Sequence, residues 1–342
     1  MSENVSGPAP VMGAGPKRKL PVGGTNAGLG GLLVALLVFF ALLIGENFYS
    51  AGVLRSMAFQ LPELGILSLA MMITLLSGGL NLSIISTANL CALTMAYVLT
   101  TFVPGAEGFA WGAWQVAAVL AGFAVALVIG LLNGYVIAYL GVSPILATLG
   151  TMTMVKGLSV GLTRGNVISG FPEPIAFIAN GTLLGIPFAM FIFVLCAIPV
   201  AVMLRRTPFG NSIYMMGSNA EATRFSGVRT RRVTMKIYVL SSLLAAVAAL
   251  VMLSRFNSAN ASYAESYLLV TILAAVLGGT DPFGGFGKVG GLVLALIILQ
   301  VISSAFNLLG FSQFLTIAIW GGLLIATSIF ALWYRGHLRW RR

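Results

Sequence analysis

Apolar runs of nearly bilayer length follow one another along most of this chain. A helix rises 1.5 Å per residue, so roughly 20 apolar residues cross the hydrocarbon. Runs of about that kind lie at residues 28–44, 64–76, 84–103, 114–139, 145–162, 184–204, 237–253, 267–277, 289–309 and 314–334. They predict an all-α, polytopic membrane protein of about ten transmembrane helices. Two glycine-rich breaks interrupt the pattern: LSGGLNLS at 76–83, and LGGTDPFGGFG at 277–287, which follows a run too short to cross comfortably.

Backbone amides in hydrocarbon must be paired, so such a break is tolerated only where protein or a water-filled cavity surrounds it. The first break therefore predicts a discontinuous helix. In transporters these breaks commonly lie near the substrate site, whereas a tight crossing built on small residues would explain the glycines alone. Asn81, Ser83, Ser86 and Asn89 add donors and acceptors, which favours a polar path. The second break stands 200 positions later, a spacing that suggests an internal repeat without showing one. Asp281, the only aspartate, is expected to be an exposed turn residue beside Pro282. Lys156 falls inside an apolar run, where an unpaired lysine costs ~2.5–3.5 kcal/mol; snorkelling to the interface and lining the path are both open.

Composition agrees with the pattern: 58% of 342 residues are hydrophobic and 8% charged, more apolar surface than one globular core hides. Fourteen of the 19 basic residues sit before the first run (Lys17, Arg18, Lys19), in residues 205–236 or after residue 334. By the positive-inside rule all three segments are cytoplasmic. Residues 1–27 then form a cytoplasmic tail, 28–334 the membrane domain with a cytoplasmic segment at 205–236, and 335–342 a basic tail. Glu46, Glu107, Glu173 and Glu265 fall in connections that the same count places outside. The net charge of +11 reads as anchoring on anionic membrane lipid, with no nucleic acid implied. The first run reads as a retained anchor rather than a cleaved signal, and Cys91 and Cys196 as buried, inert thiols.

Within residues 205–236, Ser218 or Asn219 can cap a short helix, Glu221 sits in its first turn and Gly227 ends it. Ala222 and Phe225 share one face. Such a helix wants a partner groove; lying on lipid is the alternative. A phosphate loop is missing, since GGFGKV lacks its spacing and hydroxyl. The single histidine, His337, is in the basic tail, so no metal set is expected, and the carboxylates, few and scattered among loops, form neither an acid-base pair nor a proton relay. If transport is uphill, its energy must enter from another chain.

Over about residues 61–332 the sequence resembles the permease subunit of ATP-binding-cassette (ABC) importers of the ribose, xylose and galactoside type. GGLNLS is similar to the family's Gly-Gly-Ile-Asp-Leu-Ser. LLNGYVIAYLGVSPILATLGTMTMVKGL carries its Asn-Gly, Pro and Thr-Leu-Gly-Thr-Met pattern, with Lys156 in place of arginine. TPFGNSIYMMGSNAEATRFSGV resembles the coupling segment, and LGGTDPFGGFG and NLLG complete the order. The resemblance implies the ABC importer permease fold and a transport subunit that is not itself an enzyme. Two permeases, identical or paralogous, would line a pathway for a sugar or related polyol. Two nucleotide-binding ATPase subunits would hold ATP and Mg, and a periplasmic binding protein would deliver the ligand at the bacterial inner membrane. No cofactor is expected on this chain. Gly78, Gly79, Asn81, Ser83, Asn89, Asn133 and Thr148 would line or brace the substrate pathway, and Gly217, Asn219, Ala222 and Gly227 would couple to the nucleotide-binding subunit. Departures are Asn81, Leu268 and Val270 where the family has acids, Ile85 for glycine and Thr223 for alanine. They imply a less polar or differently hydroxylated ligand, or a different second permease. Permeases for nucleosides or branched-chain amino acids share this architecture. An ion-coupled secondary transporter would want intramembrane acids, and a scaffold or enzyme finds no catalytic constellation.

Overall fold

The computed structural model describes residues 22–340; Lys17, Arg18 and Lys19, with most of the N-terminal tail, and Arg341 and Arg342 lie outside them. Each apolar run becomes a helix. In order these are α1 (Val22–Ile44), a 3-10 turn (Gly45–Tyr49), α2 (Ala51–Leu76), α3 (Ile84–Phe102), α4 (Gly108–Ala138), α5 (Pro144–Thr163), α6 (Glu173–Asn180), α7 (Phe188–Arg206), α8 (Pro208–Ser218), α9 (Ala220–Phe225), α10 (Thr230–Phe256), α11 (Tyr267–Leu277), α12 (Val289–Leu308) and α13 (Gln313–Trp340). Among the described residues eight helices are long and apolar enough to cross a membrane, and two shorter apolar stretches, Tyr267–Leu277 and Phe314–Thr327, join them. The molecule is a multi-pass membrane protein.

Several boundaries differ from the hydropathy reading: α1, α4 and α10 begin six or seven residues before the runs at 28, 114 and 237, α13 ends six residues after 334, and two further differences have a local cause. Helix α2 starts at Ala51, not near residue 64, because Arg55, Gln60, Pro62 and Glu63 dilute a helix that Ser50 caps by accepting from Val53 N at 3.4 Å. The run from residue 184 begins as a hairpin. Four two-residue strands are present, β1 (Ile168–Ser169), β2 (Thr182–Leu183), β3 (Ile186–Pro187) and β4 (Ser258–Ala259); β2 pairs antiparallel with β3 ahead of α7, and β1 with β4.

Helix α2 is the axis of the fold, buried without interruption from Leu61 to Leu76, as a helix apolar on all sides must be. Helices α7, α10, α11 and α12 surround it. Helix α10 also packs on α4, where Gly130 and Gly134 remove side chains from the contact: a Cβ at Gly130 would lie 2.8 Å from Val239 Cα. This is close approach on a small-xxx-small face. Helix α1 leans on α12 through a satellite cluster of Phe40, Phe48, Val301 and Ala305.

The connection at residues 257–266, expected as a plain outer loop, folds back along α5. Asn260 Nδ2 donates to Gly165 O at 3.1 Å, whereas Glu265 pairs with Lys156 at 2.9 Å. Lys156 lies within the last two turns of α5 and Gly165 just past its end, so the segment follows that end of the helix. Asn89 Nδ2 holds the segment from α3, donating to Ala261 O at 3.0 Å and Tyr263 O at 2.9 Å. Helix α11 therefore starts beside the middle of α2, which is why 11 residues suffice to reach the second break.

Candidate functional site

The two breaks meet each other, and the end of α8 meets both. Gly285 N donates to Leu76 O at 2.9 Å. Gly78, at φ +81, and Gly284, at φ +92, hold left-handed backbone that only glycine adopts freely. A Cβ on Gly284 would stand 2.8 Å from Cα of both Gly78 and Gly217, and one on Gly217 would strike Leu76 O and Gly285 N. Three backbones thus touch with no side chain between them. Gly79 is needed for another reason: a Cβ there would lie 2.6 Å from the Tyr238 hydroxyl. Tyr214 of α8 adds a side-chain tie, donating to Gly287 O at 2.9 Å. Burial raises the Tyr214 phenol above its ordinary range, with the Arg205 charge opposing, so it remains a neutral donor at physiological pH.

Beside this junction lies a closed hydrogen-bond network. Asn81 Oδ1 accepts from Ser83 N at 3.2 Å and Ser83 Oγ at 2.7 Å, and Asn81 Nδ2 donates to Ser241 Oγ at 3.0 Å. Ser241 donates on to Ala70 O at 3.0 Å. Asn133 Nδ2 donates to Ser83 Oγ at 2.9 Å and its Oδ1 accepts from Thr151 at 2.7 Å. The Thr148 hydroxyl accepts from Leu82 N at 3.2 Å and lies 2.8 Å from Pro144 O. One small break is thereby fastened to α2, α4, α5 and α10. Asn81, Ser83, Asn133 and Thr148 are fully buried, Asn89 nearly so, and they line neither the cleft beside Trp111 nor the one beside Phe209. The geometry is that of a brace.

The segment between α7 and α10 folds as its caps direct. Thr207 Oγ1 accepts from Gly210 N at 3.1 Å to open α8, and Asn219 Oδ1 accepts from Ala222 N at 2.9 Å to open α9. Gly227, at φ +82, follows the end of α9. Ala222 and Phe225 are exposed, with Phe225 at 90%, while Thr223 turns inward. Gly217 is separated from this exposed face, since it belongs to the junction.

Three charged groups differ from expectation. Glu63 lies within α2 at 0% exposure, so the carboxylates are not all in connections. Its Oε1 pairs with Arg255 at the end of α10 and accepts from Tyr267 Oη at 2.8 Å at the start of α11. Lys156 does not stand unpaired, since Glu265 matches it; both side chains remain about half exposed. Asp281 does form a turn, its Oδ1 accepting from Phe283 N at 3.0 Å, but its own side chain is buried rather than exposed, while Phe283 of the same turn stays exposed. An aromatic cleft of about 490 Å³ opens elsewhere, between Trp111 at the start of α4 and Glu173, Pro174 and Phe177 of α6.

Comparison with known proteins bears on what this junction serves. A family model described as "Branched-chain amino acid transport system / permease component" matches residues 53–328. The autoinducer 2 import system permease protein LsrD of Photorhabdus temperata is 30% identical over 306 residues, 87% of this chain and 89% of that protein. The ribose import permease protein RbsC of Bacillus subtilis (strain 168) is 32% identical over 292 residues, 85% of this chain and 88% of that protein. No solved structure matches the chain.

Proposed function

The chain belongs to the branched-chain amino acid transport system permease family, and on that premise we propose that it is the membrane-spanning subunit of an ATP-driven importer for a sugar or related polyol. The named relatives are permeases of autoinducer 2 and ribose import, and the ribose permease supports a sugar over the amino acids of the family's description. In this reading a second permease completes the pathway at the bacterial inner membrane, nucleotide-binding subunits hydrolyse ATP with Mg, and a periplasmic binding protein delivers the ligand. Both termini and residues 205–236 face the cytoplasm, where basic residues gather. Residues 28–334 form the permease domain.

The observation that carries this reading is the glycine junction. An exposed six-residue helix, α9, is joined through α8 to the backbone of both membrane breaks. A partner gripping α9 would move the breaks with no compliant side chain to absorb the displacement. Asn219, Ala222 and Gly227 build the grip, and Gly217 transmits it. Asn81, Ser83, Asn89, Asn133 and Thr148 brace the route, while its wall includes the free face of α5. Helix α5 packs mainly on α3 and α4, and its open side carries Gly150, Thr153 and Gly157 beside the half-exposed Lys156–Glu265 pair. An open ion pair seven residues inside a span fits water or a second permease better than lipid. Replacing Ala222 with glutamate tests the grip: ATP hydrolysis by the assembly should lose its link to uptake while insertion is unaffected, and normally coupled uptake would remove α9 from that role.

A further inference from the structure

A second cleft, of about 450 Å³, is not used by the transport reading. It is walled by Leu131 of α4, Met203 of α7, Phe209 of α8 and Val239 and Leu243 of α10, with Lys236 at its rim. Lys236 Nζ stands 5.9 Å from the centroid of the Phe209 ring. Two more exposed cations share these helix faces: Arg206, three residues beyond Met203, and Arg232, four before Lys236. Among the described residues the ion pairs are Lys156–Glu265 and Arg255–Glu63, so Lys236, Arg206 and Arg232 have no carboxylate partner there.

An apolar slot between spans, under a rim of positive charge, matches a molecule that joins an acyl chain to a phosphate. We propose that this cleft binds an anionic phospholipid of the cytoplasmic leaflet, its chain along Leu131, Val239 and Leu243 and its phosphate on Lys236, with Arg206 and Arg232 beside it. The assignment rests on the orientation proposed above, which puts the basic rim at the inner leaflet, where anionic headgroups meet basic pockets between spans. A soluble phosphate would use only the rim. A soluble protein would have to enter hydrocarbon to fill the slot, because Leu131, Val239 and Leu243 lie within membrane-spanning helices, and the second permease is assigned above to the open face of α5 instead.

The test is lipid retention by the intact purified assembly, measured by mass spectrometry after exposure to equal amounts of phosphatidylglycerol and phosphatidylethanolamine in detergent. Phosphatidylglycerol should be retained preferentially, and Lys236→Ala should weaken its retention about fivefold. Leu243→Trp, which keeps the charge and fills the slot, should lower retention of the chain itself, and excess inorganic phosphate should not displace the lipid. Equal retention of both lipids by the unaltered assembly, or phosphatidylglycerol retention unchanged in both variants, would overturn the proposal. Displacement by inorganic phosphate would assign the rim to a soluble anion instead. None of these readouts requires uptake, so failure of the lipid site and failure of the importer reading are told apart.

Discussion

Asn81 gathers more of the fold onto one side chain than any other residue of the first break: through it, Ser83 and Ser241 become one unit reaching α2 and α10. Asn81→Leu removes that unit and strands buried hydroxyls and an amide, at a cost of about 1–3 kcal/mol for each unsatisfied group; uptake should fall without dissociation of the assembly. Asn81→Asp should be tolerated, because rotating the Ser241 hydroxyl lets it donate to the carboxylate. Uptake kinetics of the two variants check this, and unchanged kinetics in Asn81→Leu would remove the residue from the route. Glu63 belongs to the same scale. Glu63→Leu leaves Arg255 beside an apolar cavity and should destabilise by about 3–5 kcal/mol, toward the lower end because Arg255 is 21% exposed. Adding Arg255→Met should recover most of that loss in thermal unfolding of the purified protein. The sequence hid Glu63 because it sits just ahead of an apolar run, where hydropathy ends a span. Its partners, Arg255 and Tyr267, are 192 and 204 positions away, a pairing no local pattern reveals.

At the scale of elements, every membrane helix was legible as an apolar run, because lipid leaves the backbone few alternatives. The caps of α9 were legible too, since Asn219 and Gly227 act within one turn of themselves. The meeting of the breaks was not. Glycine records that something comes close but not what does, and the partners of Gly78 are Gly217 and Gly284. The fold-back of residues 257–266 was equally silent, being held by side chains of α3 and α5 rather than by its own composition. Gly217→Ala tests the junction as a mechanical part. Its Cβ would meet backbone on both sides, and such overpacking typically costs about 1–3 kcal/mol. Sugar uptake per ATP hydrolysed by the assembly should drop roughly tenfold or more, with the protein still inserted; an unchanged ratio would show that α8 need not touch the breaks.

Taken whole, the molecule has a dense middle around α2 and α10 and open outer faces on α1, α4, α5 and α7. Six of its membrane helices precede the basic segment carrying α8 and α9 and four follow it; in the proposed orientation that count would return the two tails and residues 205–236 to one side. In the proposed function the junction would couple that side to the membrane interior, and a ligand-driven partner could shift it only by preferring one of its arrangements. The central claim is that this polypeptide is a conduit without an engine. Concentrative sugar uptake in proteoliposomes tests it most directly, comparing the polypeptide alone under a proton or sodium gradient with the complete assembly given lumenal ATP. The account predicts accumulation only in the complete assembly and only with ATP; accumulation by the polypeptide alone, driven by either ion gradient, would contradict it.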